Sequence, residues 1–194
     1  MIEQISVVTH ERFAQGMAYA EYIDQIKVNK KLFQKYYDEF TLSDEESDFF
    51  RQCAGKPNGL TKLLVLGEDW CPDVYRGIPT IARVAEAAEL ELRIFPRDDN
   101  LDIMNEFLKE GKYQSIPAFV FYTDNLDYIC HWIERPEIGN QESAAIEEAI
   151  RGENPDITDR EFGIERRNRT AARFPMWQGA TVRELQDMLA THFN

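Results

Sequence analysis

Cys71 stands where a short apolar run, Leu63-Leu64-Val65-Leu66, gives way to a helical pattern, so one thiol sits at a strand-to-helix corner. After it, Val74, Ile78, Ile81, Ala85 and Ala88 recur at helical spacing. Pro72 falls in the first turn, where its missing N–H does no harm. The open end of a helix carries roughly half a positive charge and unpaired backbone N–H groups, and both favour a thiolate over a thiol. Glu68, Asp69 and Asp73 act the other way if they stay ionised. A helix terminus contributes about 0.3–1 kcal/mol at an exposed site, under about one pKa unit, so the acids are able to cancel it. Cys71 is the candidate nucleophile, and geometry must decide its strength.

Such a residue needs a core to hold it. The 194 residues suffice for one substantial core or one domain with extensions, and a hydrophobic fraction of 43% is that of a globular chain. The formal charge of −13 argues against nucleic acid and anionic membrane as partners, because both need a positive footprint. No apolar run approaches the ~20 residues of a membrane span. Met1-Ile2-Glu3-Gln4 lacks the basic-then-apolar start of a leader, which reads as cytoplasmic. Cys53, Cys71 and Cys130 are odd in number and widely spaced, which fits a reducing compartment better than a disulfide framework, and no spacing suggests a metal site.

Residues 9 to 54 read as helices. Phe13, Met17, Ala20 and Ile23 form one apolar stripe; Phe33, Tyr36, Tyr37 and Phe40 form a second; Ser43-Asp44-Glu45-Glu46 is a capping box leading to Phe49, Phe50 and Cys53. This aromatic block is expected to pack on one face of a sheet, with a partner-binding surface as the other reading. Leu90 to Phe95 alternates as a strand with one wet face near an edge. Asn100 to Glu110 reads as a helix with Leu101, Met104 and Leu108 inward, capped by Asp98-Asp99 and stopped by Gly111. Those aspartates lack calcium-loop spacing, so capping is the reading preferred. Ala118 to Tyr122 and Leu126 to Trp132 form a hairpin around Asp124-Asn125. Ile138 to Arg151 is expected to close the fold. Arg160 to Arg173 carries five arginines against two glutamates, which suggests docking onto the acidic body or onto an acidic neighbouring subunit of a homodimer. Thr181 to Phe193 ends the chain as an amphipathic helix with Val182, Leu185, Met188 and Leu189 on one side.

Trp70-Cys71 at a strand end, Pro79 eight residues later, and Ile116-Pro117 just before Ala118-Phe119-Val120-Phe121-Tyr122 together resemble the thioredoxin superfamily. The wording Glu68-Asp69-Trp70-Cys71-x-Asp73 behind a helical segment is similar to a little-characterised bacterial branch of it. The resemblance covers residues 61 to 136 well. It implies a thioredoxin-like three-layer α/β/α sandwich with a mixed sheet at residues 61–151. An N-terminal helical extension (1–60), and an arginine-rich segment with a C-terminal helix (152–194), would flank it. It further implies Cys71 as nucleophile, Pro117 as a cis-proline, and a substrate groove of Trp70, Pro72, Asp73, Ile116 and Pro117.

Where the family carries its second, resolving cysteine, this chain has Val74, giving C-P-D-V. A dithiol enzyme attacks a disulfide with the first sulfur and releases the mixed disulfide with the second. Cys53 precedes the first strand, roughly 20 Å of extended chain from its far end, at ~3.3 Å per residue. Cys130 lies two strands away if it faces Phe119 in the hairpin, beyond the Cα separation of ~7 Å that a bridge allows. Both read as small buried residues. The same hairpin returns His131 and Trp132 towards Pro117, where His131 reads as structural more readily than as a proton relay.

Three functions follow. The first is a monothiol thiol–disulfide oxidoreductase acting on protein or small disulfides, with an external thiol such as glutathione and no cofactor. The second is a non-catalytic thioredoxin-fold binding module. The third is a monothiol-glutaredoxin-like carrier of glutathione or an iron–sulfur cluster, ranked last because the neighbours of Cys71 in sequence are acidic.

Overall fold

The structure is a computed structural model that describes residues 6–193, so the leader reading of Met1 to Gln4 lies outside the described residues. Strands β1 (Lys62–Gly67), β2 (Glu91–Pro96), β3 (Ala118–Tyr122) and β4 (Tyr128–Ile133) form one mixed sheet in the order β2-β1-β3-β4. β1 runs parallel to β2 and antiparallel to β3, which pairs antiparallel with β4. The two central strands are buried at every residue, as strands covered on both faces must be, whereas β2 and β4 are mixed.

Helix α5 (Pro72–Ala87) follows β1 and buries Val74, Ile78, Ile81 and Ala85. Ahead of the sheet come α1 (His10–Phe13), α2 (Tyr19–Gln25), α3 (Lys30–Glu39) and α4 (Asp44–Ala54). The stripe from Phe13 to Ile23 belongs to two helices, not one, and Ala20 is exposed. Between them the chain runs against the free edge of β2: Met17 and Ile94 exchange backbone hydrogen bonds of 2.9 and 2.8 Å. Gly16 permits this approach, since a Cβ there would lie 2.5 Å from the Phe95 ring. The pairing also shields part of an edge strand that would otherwise offer open N–H and C=O groups. Ser43 and Glu46 do form the capping box of α4.

The aromatic block packs largely on α5 and not on the sheet itself. Tyr36 stacks on Tyr75 of α5 with ring centroids 6.1 Å apart, and Phe33 meets the same ring edge-on.

Beyond β2, the expected ten-residue helix is one turn, α6 (Leu101–Met104). Leu101 is exposed and Leu108 half-buried; Ile103, Met104 and Phe107 supply the burial instead. Glu110 and Gly111 both take positive φ, 55° and 66°, and turn the chain there. The hairpin register also differs from expectation. Cys130 pairs with Phe121, and Phe119 pairs with Trp132: Tyr122 faces Tyr128, which centres the turn on Asn125, and a bulge between Phe121 and Tyr122 displaces the ladder by one residue more.

After β4 come α7 (Glu137–Glu153), α8 (Asp159–Ala171) and α9 (Phe174–Phe193). The closing helix is α9, not the 138–151 segment. It buries Phe174, Trp177, Val182, Leu185 and Leu189 against α5, α4 and β4. Helix α7 buries only Gly139 and Ile150, since its alanines have little apolar area to remove from water. Trp132 donates to Glu184 of α9 at 2.8 Å, while its neighbour His131 meets the Phe107 ring at 5.5 Å. Adjacent strand residues point to opposite faces, so α9 and the α6 segment cover opposite sides of the sheet. The result is the expected thioredoxin-like α/β sandwich.

Candidate active site

Cys71 is the N-cap of α5, with φ −84° and ψ 127°. Its carbonyl accepts from the N–H groups of Val74 and Tyr75, both at 3.1 Å, so the helix begins immediately behind the sulfur. The Ile116–Pro117 peptide is cis, and the Cys71 thiol points at the Ile116 carbonyl with Sγ 3.8 Å from the oxygen.

Burial pushes the Cys71 thiol above its ordinary value, and the Asp73 carboxylate pushes it further. The N–H groups of Val74 and Asp73 and the Arg135 guanidinium pull it down, but do not prevail. The competition between helix terminus and acids is thus decided by desolvation. Glu68 and Asp69 take other tasks: Glu68 accepts from the Asp98 N–H at 2.8 Å, and Asp69 from the N–H groups of Lys27 and Val28 at 2.8 and 3.1 Å. Both carboxylates tie the loop before Cys71 to neighbouring segments.

Asp73 is buried between two guanidiniums. Arg76, wholly buried, donates to it at 3.2 Å, and Arg135 donates to its other oxygen at 2.7 Å. Arg76 also donates to the Glu134 carbonyl and lies over the Phe174 and Trp177 rings, 5.7 Å from each.

A cavity of about 310 Å³ opens beside the sulfur. Of the residues expected to form a groove, Cys71, Pro72, Asp73 and Ile116 border it. Trp70 projects into solvent with Arg97 over its ring at 5.6 Å, and Pro117 is buried behind the site against α5. Gly77 allows that packing: a Cβ there would fall 3.0 Å from Pro117 Cγ. His131 turns away, accepting or donating at Nδ1 to the Tyr128 hydroxyl at 2.7 Å, and burial lowers its pKa so that it is neutral at pH 7. Cys53 and Cys130 are free thiols that do not border the cavity. Among the described residues no group of His, Cys, Asp and Glu is placed to hold a metal ion.

A family model described as thioredoxin matches residues 16–157. The chain belongs to the thioredoxin family. Two solved structures share its fold. One is a protein of unknown function from Pseudomonas aeruginosa, with TM-score 0.65 and 13% identity, covering 95% of this chain and 98% of that one. The other is an HIV epitope-scaffold, with TM-score 0.62 and 12% identity over 95% and 99%. At such identities the likeness is of fold alone. No curated protein matches.

In this thioredoxin-family chain the site's far wall comes from residues that motif reading missed. Arg135 follows β4, while Arg166, Arg167 and Thr170 come from α8. The only signal for them in the sequence was the surplus of arginines in an acidic chain. Three arginines of the 160–173 segment dock within the chain, Arg166 on Glu147, Arg169 on Glu153 and Arg173 on Glu142, all carboxylates of α7.

Val74 is wholly buried, its methyls close to Gly67. Residues three apart at a helix start have Cα atoms about 5 Å apart, inside the roughly 4.4–6.8 Å that a disulfide spans. Val74→Cys is therefore expected to form an internal disulfide with Cys71 on mild oxidation, seen as a loss of two hydrogens by mass spectrometry and reversed by dithiothreitol. A folded variant whose two thiols both remain alkylatable after oxidation contradicts this.

Proposed function

We propose that the protein carries out thiol–disulfide exchange as a monothiol: Cys71 attacks one sulfur of a protein or small disulfide, and an external thiol such as glutathione resolves the mixed disulfide. The observation that carries this reading is the half-buried Cys71 thiol at the open end of α5, bordering a cavity sized for a small substrate. The attack forms a sulfur–sulfur bond to Cys71 and expels the other half of the disulfide as a thiolate. Buried Val74 offers no second sulfur, hence the outside thiol. Three unlinked cysteines suit a reducing compartment such as the cytoplasm, and among the described residues no helix is long and apolar enough to cross a membrane.

Since the thiolate is the reactive form and the thiol is held above its ordinary value, exchange is slow at neutral pH and accelerates as pH rises past ~8.5. Asp73→Asn removes a charge that raises the thiol pKa, so this variant should shift the profile to lower pH and react faster at pH 7. The test is the rate of Cys71 alkylation against pH in a Cys53→Ser, Cys130→Ser background. A profile unmoved by Asp73→Asn would contradict the electrostatic account. Complete protection of Cys71 from pH 7 to 10 in the folded protein would overturn exchange itself.

The raised thiol pKa favours a second reading, a binding module that keeps the fold without turnover. That reading requires a partner held equally well by wild type and Cys71→Ala.

A further inference from the structure

We propose that the cavity beside Cys71 is a binding site for a small carboxylate-bearing thiol and its disulfide, gripped by Arg167 of α8 together with Arg135. This rests on the exchange reading and names its substrate class. Four arginines, Arg97, Arg135, Arg166 and Arg167, border a single cavity in a chain whose formal charge is −13. Three of them are engaged: Arg97 with Asp98, Arg135 with Asp73 and Glu134, and Arg166 with Glu147. Arg167 makes no ion pair among the described residues, so its guanidinium is available to a ligand carboxylate in the paired geometry that Arg favours.

Arg135 adds a second observation. Its Nε is buried and has no hydrogen-bond partner, while its Nη1 donates to Ser143 on the same wall at 3.4 Å. Arg135 thus keeps one donor unspent in a residue that lines the cavity.

Helix α8 supplies the third. None of its residues is buried, and it meets α7 through the Arg166–Glu147 and Arg169–Glu153 pairs and through Arg151 over the Phe162 ring at 4.2 Å. That position brings Arg166, Arg167 and Thr170 to the rim of the thiol's cavity. A volume of about 310 Å³ lies at the small end of ligand pockets, roughly 300–1,000 Å³, which suits a thiol of a few residues.

In the step itself, the Cys71 thiolate, its proton given to water, attacks RS–SR. A bond forms between Cys71 and one R-bearing sulfur, the original sulfur–sulfur bond breaks, and RS⁻ leaves and takes a proton. A second RS⁻ attacking that R-bearing sulfur restores the Cys71 thiolate and RS–SR, with no further oxidant or reductant.

The test uses the full chain with two disulfides of opposite charge, glutathione disulfide and cystamine, and follows the Cys71 adduct by mass spectrometry at low ionic strength. Binding of S-methylglutathione, which cannot exchange, is measured in parallel by calorimetry. Expected are faster reaction with glutathione disulfide than with cystamine, and S-methylglutathione affinity reduced about tenfold by Arg167→Glu, a change at an exposed position. The preference should reverse in that variant and flatten at high salt. Reaction with both disulfides at rates indifferent to their charge and to Arg167→Glu would overturn the site while leaving exchange standing. Binding of S-methylglutathione lost in Arg167→Glu, with no adduct from either disulfide, would support the site and overturn exchange. Neither binding nor adduct overturns both.

Discussion

Cys71→Ser is expected to abolish mixed-disulfide formation entirely while leaving the folded protein intact. A seryl oxygen cannot take the place of sulfur in a disulfide, so the loss is complete and not graded. The other thiols offer no substitute. Cys53 is buried, and burial, with a contribution from Cys53, pushes the Cys130 thiol up to about 12. The fold should tolerate the change, because Cys71 caps α5 through its backbone and, among the described residues, its side chain makes one long hydrogen bond, to the Ile116 carbonyl. Serine is also among the favoured N-cap residues. The measurement is the whole-protein mass after native incubation with glutathione disulfide, beside a thermal unfolding curve. An adduct of equal yield in Cys71→Ser would move the chemistry to another cysteine and end the present assignment.

Arg76→Ala should produce the largest loss of stability of any single change near the site. Arg76 is wholly buried, paired with Asp73, and packed across Phe174 and Trp177. Removing one member of a buried ion pair costs about 3–5 kcal/mol, because the charge left behind is uncompensated. Asp73 keeps Arg135, which moderates the electrostatic part, but the truncation also opens a void between α5 and α9. For a chain of this size such a loss lowers the unfolding midpoint by about 10 °C. Combining Arg76→Ala with Asp73→Asn should recover part of it, since the stranded carboxylate is then gone. Denaturant unfolding of the single and double variants decides the matter. A cost of Arg76→Ala under about 1 kcal/mol, or strict additivity with Asp73→Asn, would show that the buried triad does not hold the start of α5 in place.

Local pattern carried much of this molecule. The run from Leu63 to Leu66, the cap at Cys71, the stripe of α5 and the capping box at Ser43 are written in adjacent residues, because strand burial, helix periodicity and end-capping are properties of short segments. The same holds for the likeness around Trp70-Cys71 and Ile116-Pro117, which rests on an ordered set of short motifs. The errors arose where one segment's behaviour is set by another. The stripe from Phe13 to Ile23 breaks because Gly16 and Met17 meet the β2 edge. The hairpin register shifts because the turn centres on Asn125 and a bulge follows between Phe121 and Tyr122, which no turn residue announces. The alanines of α7 keep a helical period but too little area to win the sheet from Phe174, Trp177 and Leu185.

By itself the sequence determined the fold family, the position of one thiol at a helix start, and the absence of a resolving cysteine at position 74. Tertiary structure decided the electrostatics and the shape of the site. It turned Glu68 and Asp69 to tying loops, left Asp73 beside the sulfur between Arg76 and Arg135, and brought Arg166 and Arg167 across from a helix nearly a hundred residues away. The reason is physical. Coulomb forces and desolvation depend on distance in space and on access of water, and neither follows from separation along the chain.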